Sequence, residues 1–335
     1  MKKILLLIAA MTCLCSCIKE ELQSIEMILS ESSERITPQE HVRKGIKSIT
    51  MNTYSAVEKF GQQEKQIQES IVANYNKEGR IINRDHNYYK YNHYNHEEYE
   101  YINYDDEKIK NAIKYTFDSE CKDIEHKQVK NYDKEGNLVK EIYYNQNGIP
   151  AFPTKIYQYD KKNRLIEENL LIHENMNKYN ERIYKTYYIY NDKGWLIEKK
   201  SHNESDMYGM QTYKYDKKGN CVEVIDYNSE GDVESKTINE YREKNVVISI
   251  VYDADGNMTN KTEYSPNEHI SYDKKGSISA KTIWKDKKLI ESIFGSCVWR
   301  IEYNKKGDCE KIVRHQLLRG KEIIDKIIEC EYTYY

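Results

Sequence analysis

One seven-residue pattern recurs along this chain and constrains its fold more than any other feature. The pattern is Tyr, then Asp or Asn, two mostly polar residues, Gly or Asn, one further residue and an apolar residue, as in Tyr215 to Cys221. The Asp side chain can cap the N–H groups of a turn, and Gly adopts the left-handed conformation that a hairpin turn of this kind requires. The pattern therefore predicts the end of one β-strand, a tight turn and the start of the next strand. Copies begin at Tyr75, Tyr132, Tyr144, Tyr159, Tyr190, Tyr215, Tyr227, Tyr252, Tyr272 and Tyr303.

The fifth position of the pattern is predicted to adopt positive φ. Nine of the 14 glycines stand there, and Asn163 takes the position in one copy. Asn tolerates positive φ better than most residues, so this exception fits the turn assignment. The predicted structural turn residues are Gly79, Gly136, Gly148, Asn163, Gly194, Gly219, Gly231, Gly256, Gly276 and Gly307.

Aromatic usage favours a thin or curled sheet over a thick apolar core. The chain has 32 Tyr against 4 Phe and 3 Trp, and its mean hydropathy is −0.91. A Tyr ring packs like other aromatics, but its hydroxyl needs water or a partner, which suits half-covered surfaces. Tyr213 and Tyr215, two residues apart, share one face of a strand. We therefore predict an all-β fold of repeated hairpins that form a long twisted or spiralling antiparallel sheet, in which each hairpin packs mainly on its neighbours.

The N-terminus has the order of a secretory signal. Lys2 and Lys3 precede an apolar run over residues 4–10, which is too short to span a bilayer. Leu14 to Cys17 then resembles the lipobox of bacterial lipoproteins, which implies that Cys17 is acylated and becomes the first residue of the mature chain. An ordinary cleaved signal with a chance Cys is the alternative. The predicted divisions are a signal peptide at 1–16, a tether at 17–44 and a repeat domain at 45–335.

The residues that follow Cys17 bear on localisation. Ile18 to Glu21 resembles the export signal of Bacteroidota-type lipoproteins, which implies an outer-membrane lipoprotein exposed at the cell surface. A solvated charged tether is the alternative interpretation.

Charge and cysteine content argue against a nucleic-acid-binding protein and against a disulfide-stabilised scaffold. The formal net charge is −3, without the basic excess that neutralises phosphates, so nucleic acid is not an expected partner. Five cysteines follow Cys17, an odd number that cannot all pair within one chain. Cys221 and Cys309 occupy the apolar position of the repeat, so we predict small buried hydrophobes and no disulfide framework.

The copies resemble the YD repeats of the bacterial Rhs family. Tyr132 to Leu138 and Tyr215 to Cys221 match the family core closely, and the resemblance covers roughly residues 46–335 in degenerate form. It implies β-hairpins in a spiralling sheet. Large members of the family wrap toxin domains, and ten copies are too few to do so. Resemblance to the shorter members implies binding to carbohydrates or to the cell surface.

A His-rich and Tyr-rich stretch from His86 to Tyr104 raises the question of a metal site. His93, His96 and Glu97 include ligand types that zinc accepts. A strand, however, places residues three apart on opposite faces, and the helical spacing of the HExxH motif is absent. We therefore predict a polar hairpin and neither a metal nor a cofactor.

Catalytic signatures are absent from the sequence. It contains no nucleophile elbow, phosphate-binding glycine loop or dinucleotide fingerprint. Adjacent carboxylates such as Glu167 with Glu168 and Asp105 with Asp106 are too common along the chain to single out a glycosidase pair. The chain is predicted not to be an enzyme. A carboxylate-dependent hydrolase on the same sheet, and a partner or remnant of an Rhs-type toxin system, are the alternatives.

The three tryptophans are the candidate ligand-binding residues. An exposed indole on a rigid sheet can stack on a sugar ring or anchor a protein partner. Ordinary cross-strand packing is the alternative for each of them. The sequence thus predicts a lipid-anchored binding or scaffold module of the cell envelope, with a glycan or another envelope component as ligand and Trp195, Trp284 and Trp299 as candidate contacts.

Overall fold

The computed structural model covers the repeat-bearing part of the chain. The predicted signal peptide, Cys17 and the predicted tether lie outside the described residues, so their assignment stays a prediction. The described residues are 45–335 without 60, 61, 90, 92, 104–107, 119, 173–181, 204, 205, 287, 319 and 320.

The chain is all-β. Apart from one short 3₁₀ segment at Glu243–Asn245, the regular elements of the described residues are 22 strands, which confirms the predicted fold of antiparallel hairpins. The first eleven are β1 (Ile46–Lys59), β2 (Gln62–Tyr75), β3 (Ile81–Tyr88), β4 (His93–Asn103), β5 (Ile109–Phe117), β6 (Ile124–Tyr132), β7 (Leu138–Asn145), β8 (Thr154–Tyr159), β9 (Leu165–Ile172), β10 (Arg182–Tyr190) and β11 (Leu196–His202). The others are β12 (Met207–Tyr215), β13 (Cys221–Tyr227), β14 (Val233–Arg242), β15 (Val246–Asp253), β16 (Met258–Tyr264), β17 (Glu268–Asp273), β18 (Ile278–Lys285), β19 (Lys288–Phe294), β20 (Cys297–Tyr303), β21 (Cys309–Leu318) and β22 (Lys321–Tyr334).

The described residues fall into two compact units, whose boundaries lie within β1, β2, β12 and β22. Unit one contains Met51–Glu69 and Gln211–Glu331, and unit two contains residues 45–50, Ser70–Met210 and Tyr332–Tyr335. Within each unit, strands that follow one another in the chain pair antiparallel, as β4 does with β5 and β20 with β21. Each hairpin therefore has its nearest neighbours in sequence beside it.

The seven-residue pattern folds into one recurring turn. In the copy from Tyr215, the Gly219 amide donates to the Asp216 carbonyl oxygen (3.1 Å), and the Asp216 amide donates to the Asn220 carbonyl oxygen (2.9 Å). The Asp216 carboxylate accepts the amides of Lys218 (2.8 Å) and Asn220 (2.9 Å). Burial alone would raise the pKa of Asp216, but these N–H donors lower it below its ordinary value. All ten predicted turn residues have positive φ, between 57° and 91°.

Strand register explains why the pattern begins with Tyr and ends with an apolar residue. Tyr132 pairs with Leu138, and Tyr190 pairs with Leu196, each next to a β-bulge on the Tyr-bearing strand. The first and seventh residues thus face each other across the hairpin, and five residues form the loop between them. A bulge beside a glycine at positive φ is the expected accompaniment of such a loop.

Strand direction accounts for the uneven spacing of the copies. In unit two the turns after Tyr75, Tyr132, Tyr159 and Tyr190 share one edge of the strands, which we call the turn edge. From Tyr132 onward, two strands and a more variable hairpin separate successive turns of the pattern there, whereas four strands lie between the turns after Tyr75 and Tyr132. Tyr144 follows Tyr132 by one strand, so its turn lies at the opposite ends of the strands, which we call the far edge.

Unit one buries mainly aliphatic side chains in its last strands. Leu289, Val298 and Ile312 are each almost fully buried. A row of small polar side chains is buried on neighbouring strands, where Ser249 pairs with Thr262, and the Thr262 hydroxyl lies 3.1 Å from that of Ser271. Hydrogen bonds between hydroxyls let a polar strand face be covered without leaving donors unpaired.

Candidate functional site

The exposed aromatic rings of unit two lie mainly in hairpins of its far edge. Tyr89 and Tyr91 lie between β3 and β4, Phe152 lies between β7 and β8, and Tyr208 lies at the start of β12. About half of each ring's residue surface is exposed, and Tyr91 reaches 71%. We call these four residues the aromatic edge. Tyr335, at the chain end, is an exposed aromatic of unit two outside this group.

Neighbouring rings hold two members of the aromatic edge. Phe152 meets Tyr143 edge-on at a centroid distance of 5.6 Å, and His126 lies 6.5 Å from it. Tyr208 meets Tyr184 edge-on at 5.9 Å. Edge-to-face contacts at these distances are attractive, so both rings are fixed in place while about half of their surface faces solvent. Such rings offer a prepared surface to a flat apolar ligand face.

The tyrosines that begin the pattern have a structural task at the turns. The Tyr159 hydroxyl donates to the Leu138 carbonyl oxygen (3.0 Å), and the Tyr190 hydroxyl donates to that of Leu165 (2.9 Å). Each bond links one hairpin to the first strand residue after the preceding turn. Burial raises the pKa of Tyr159 to about 12, so the hydroxyl remains a donor at any physiological pH. We call these bonds tyrosine clasps.

Unit one uses the same device. The Tyr241 hydroxyl donates to the Cys221 carbonyl oxygen (3.0 Å), and the Tyr303 hydroxyl donates to that of Leu289 (2.8 Å). The excess of Tyr over Phe therefore follows in part from hydrogen bonds that a Phe ring could not make. The sequence indicates only that a Tyr hydroxyl needs water or a partner, and the structure identifies that partner at these four positions as a backbone carbonyl oxygen.

A buried ionic cluster spans β3, β4 and β5 of unit two. Glu97, 5% exposed, accepts a hydrogen bond from the Tyr99 hydroxyl (2.7 Å) and forms ion pairs with Arg84 (2.8 Å) and Lys114 (3.2 Å). Burial alone would raise the pKa of Glu97, but Arg84 and Lys114 lower it below its ordinary value. A carboxylate held in this way stays ionised and is unsuited to donate a proton as a general acid.

A second buried carboxylate lies on β7. Glu141 is 1% exposed, and its Oε1 accepts a hydrogen bond from Gln128 (2.7 Å) and lies 3.4 Å from the Lys130 ammonium. Its Oε2 has no hydrogen-bond partner among the described residues. Cross-strand pairing joins Lys130 to Glu141 and Lys114 to Gln128, so these side chains share one face with the cluster around Glu97.

The three candidate tryptophans are half-buried. The Lys193 ammonium lies 4.6 Å from the Trp195 ring centroid, and the Arg314 guanidinium lies 5.3 Å from that of Trp299. Trp284 packs at 4.1 Å on the ring of His269. Each indole is therefore partly covered by a neighbour. Exposure instead points to the four residues of the aromatic edge, which sequence analysis did not single out because a loop Tyr and a packed Tyr look alike in a Tyr-rich chain.

The stretch considered for metal binding is divided between two strand faces. His96 Nδ1 lies 2.7 Å from Asp85 Oδ1, whereas Glu97 points to the opposite face into its ionic cluster. His93 is exposed at the start of β4. Across the part of the chain that the structure describes, no group of three or more His, Cys, Asp or Glu side chains is arranged to hold a metal ion.

The adjacent carboxylates Glu167 and Glu168 do not converge on one point. Glu167 and Glu168 are consecutive residues of β9 and so face opposite sides. Glu168 accepts the Tyr188 hydroxyl (3.1 Å), and Glu167 accepts the side-chain amide of Asn169 (2.9 Å). Asp105 and Asp106 lie outside the described residues.

The cysteines within the described ranges are free thiols. Cys221 and Cys309, predicted as buried hydrophobes, are almost fully buried. Burial raises the pKa of Cys221 to about 11, which keeps its thiol protonated and unreactive.

Over the stretches of the chain covered by the structure, no helix has the length and apolar character to cross a bilayer.

Comparison with known proteins gives matches only among solved structures. No protein-family model matches the chain, and no curated protein matches its sequence. The crystal structure of TcdB2-TccC3-TEV is 14% identical over 84% of this chain and 16% of that chain, with a TM-score of 0.37. A porin-like protein from Bacteroides uniformis ATCC 8492 is 9% identical over 86% of this chain and 96% of that chain, with a TM-score of 0.29.

A second structure of the first kind, TcdB2-TccC3 without its hypervariable C-terminal region, is 12% identical over 84% of this chain, with a TM-score of 0.33. The chain spans about 16% of the length of both TcdB2-TccC3 chains. On the evidence of its own strands and turns, this chain is a protein of repeated β-hairpins.

Proposed function

We propose that this protein is a lipid-anchored, non-catalytic binding module of the cell envelope, displayed at the surface and directed at glycans. The single observation that carries the ligand class is the aromatic edge, where four half-exposed rings stand at hairpin ends of unit two. Aromatic rings stack on the apolar faces of sugars, and two of these rings are already fixed by edge-to-face contacts.

Two features favour binding over hydrolysis. First, the buried Glu97 is neutralised by Arg84 and Lys114. Second, Glu167 and Glu168, which are consecutive in sequence, face opposite sides of β9. Glycoside hydrolysis needs two carboxyl groups converging on one bond, one of them with a raised pKa. Glu97 instead has a lowered pKa.

A glycan array tests the ligand class. The unaltered protein is expected to give a signal with at least one polysaccharide, and Tyr91→Ala and Phe152→Ala are expected to weaken it. Trp195→Ala is the matched control, because this indole is covered by Lys193 and is expected to contribute little. Absence of binding to every polysaccharide, or loss of binding in Trp195→Ala alone, would contradict the assignment to the aromatic edge.

The anchor is tested separately by mass spectrometry of the N-terminal peptide. An acyl-modified Cys17 at the mature N-terminus is the expected result, and an unmodified Cys17 on a freely soluble protein would remove the anchor from the proposal. Protease treatment of intact cells then tests surface display, since a protein on the outer face is cleaved without lysis.

A further inference from the structure

Unit one has an exposed apolar group at the ends of β18, β19, β21 and β22. Phe294 is 72% exposed and precedes the two-residue turn between β19 and β20. Ile278, Leu318 and Ile323 are also more than one-third exposed. We call these four residues the apolar rim. Exposed apolar side chains grouped in this way mark contact surfaces for proteins or membranes, whereas isolated ones need no explanation.

Strand register places the apolar rim on one sheet face, at neighbouring strand ends. Phe294 pairs with Ala280, two residues from Ile278, and with Cys297. Cys297 pairs with Gln316, which in turn pairs with Ile323. Leu318 lies two residues beyond Gln316 and so shares its face. The backbone confirms the proximity, since the Leu317 amide donates to the Ser296 carbonyl oxygen (2.7 Å).

Lysines flank the apolar rim. Lys274 and Lys275 are exposed in the turn that leads into Ile278, and the exposed Lys321 pairs with Leu318. Asp273 is the nearby acid of that turn, where it accepts the amides of Lys275 (2.8 Å) and Ser277 (2.9 Å).

A second acid near the rim is already paired. Glu322 is held by the Arg300 guanidinium through two bonds of 2.7 and 3.0 Å. The three lysines therefore leave an excess of positive charge around the apolar side chains.

We propose that the apolar rim of unit one docks on an anionic lipid surface, with Phe294, Leu318 and Ile323 entering the interface and Lys274, Lys275 and Lys321 contacting lipid headgroups. Apolar side chains beside basic ones are the combination by which proteins lie on membranes. One acyl chain gives only marginal membrane binding, and stable attachment takes a second signal. If Cys17 is acylated, the apolar rim supplies that second signal. If Cys17 is not acylated, the rim binds the lipid surface by itself.

Local hydrogen exchange on the full-length protein tests the proposal. Vesicles of equal amounts of phosphatidylglycerol and phosphatidylcholine are expected to slow amide exchange in residues 290–300 and 316–323 roughly tenfold. Vesicles of phosphatidylcholine alone are expected to have a much smaller effect. Reading exchange at the rim separates docking from any attachment through the N-terminal residues.

Charge reversal identifies the headgroup contacts. Combined Lys274→Glu, Lys275→Glu and Lys321→Glu substitutions are expected to abolish the slowing, because each lysine is worth about a fivefold change in partitioning. The matched control reverses Lys217 and Lys218, which are exposed in a turn at the opposite strand ends of unit one, and is expected to keep the slowing.

Three results would overturn the proposal. One is unchanged exchange with both vesicle types, and another is equal loss of slowing in the control variant. The third is amide exchange at the rim that is already slow in the absence of lipid. If this protection increases with protein concentration, the rim binds a second copy of the chain; if it does not, the rim binds residues 17–44 of the same chain. A Phe294→Ser variant with unaltered vesicle-induced slowing would likewise contradict the insertion of this ring.

Discussion

The two units use the same turn and the same tyrosine clasp, and both bury aliphatic side chains, yet their buried polar residues differ: unit two buries the carboxylates Glu97 and Glu141, whereas unit one buries mainly hydroxyl side chains. Unit two places Arg84, Glu97 and Lys114 on one buried face. Hairpin connection is therefore independent of interior chemistry in this protein. The stability of a buried ionic cluster depends on every charged partner being present. The stability of an aliphatic interior falls in proportion to the side-chain volume that a substitution removes.

The largest expected effect comes from breaking the ionic cluster of unit two. Arg84→Leu leaves Glu97 buried with an incomplete set of partners, and we expect a loss of about 3–5 kcal/mol in the free energy of unfolding. Ile312→Val in unit one should cost only about 0.5–1.5 kcal/mol, because a single methylene is removed. Urea unfolding followed by hydrogen exchange in each unit measures both.

An exposed ion pair of unit two is the control for this comparison. Glu120 and Lys122 are both mostly exposed, and Lys122→Leu is expected to change stability by less than about 1 kcal/mol. Similar costs for Arg84→Leu and Lys122→Leu would show that burial of the cluster contributes nothing, and the contrast between the units would disappear.

Acid should loosen unit one at a higher pH than unit two. The His269 ring packs on Tyr264 and Trp284, and burial lowers its pKa to about 4. Unfolded His titrates near 6.5, so the unfolded state takes up the proton first as the pH falls. Stability present above pH 6.5 is expected to decline by about 3 kcal/mol as the pH falls to 4.

The contribution of Glu97 in unit two has a different pH window. Its folded pKa is lowered, so its stabilisation is present above the unfolded value of about 4.3 and is lost only as the pH falls through the folded pKa. Native-state hydrogen exchange of each unit from pH 7 to pH 3, corrected for the intrinsic rate, measures the order. His269→Phe should flatten the slope above pH 4 in unit one, and a slope that persists in this variant would assign it to other groups.

The shared turn should respond alike in both units. Gly194 in unit two and Gly219 in unit one have φ of 81° and 86°. A β-branched residue is strained at such φ, so Gly194→Val and Gly219→Val are each expected to cost more than about 1 kcal/mol. Lys218→Val in the same turn, where φ is not positive, should stay within about 0.5 kcal/mol. An unchanged thermal midpoint in Gly219→Val would contradict the turn assignment.

The smallest expected effect is the loss of one tyrosine clasp. Tyr190→Phe and Tyr303→Phe each remove a hydroxyl that donates to a backbone carbonyl, at an expected cost of about 0.5–1.5 kcal/mol. Thermal unfolding of the two variants measures it, with Tyr89→Phe at the exposed aromatic edge as control. A clear difference between the two clasps would indicate that the units do not use this device equally.

Sequence patterns predicted the local features of the fold. Tyr215 to Cys221 contains its own turn geometry, because an Asp cap and a Gly at positive φ act within a few residues of each other. The burial of Cys221 also followed from its position in the repeat.

The candidate sites could not be predicted in the same way. The exposure of Phe294 on β19 and the burial of Glu97 on β4 depend on which strand face meets which neighbour. These strands carry polar residues on both faces, so alternation does not distinguish them. The half-burial of Trp195 likewise depends on Lys193 reaching over the ring.

The amino-acid sequence by itself determined the hairpins, their turns and the all-β class of this protein, because these rest on backbone conformation and contacts between near neighbours. Only the tertiary structure decided which side chains are buried, which tyrosine hydroxyls bond across hairpins and where aromatic and apolar residues gather. The physical reason is that burial and pairing depend on the register between neighbouring strands, which places Arg84 opposite Glu97 and brings Lys114 of the next strand to the same face.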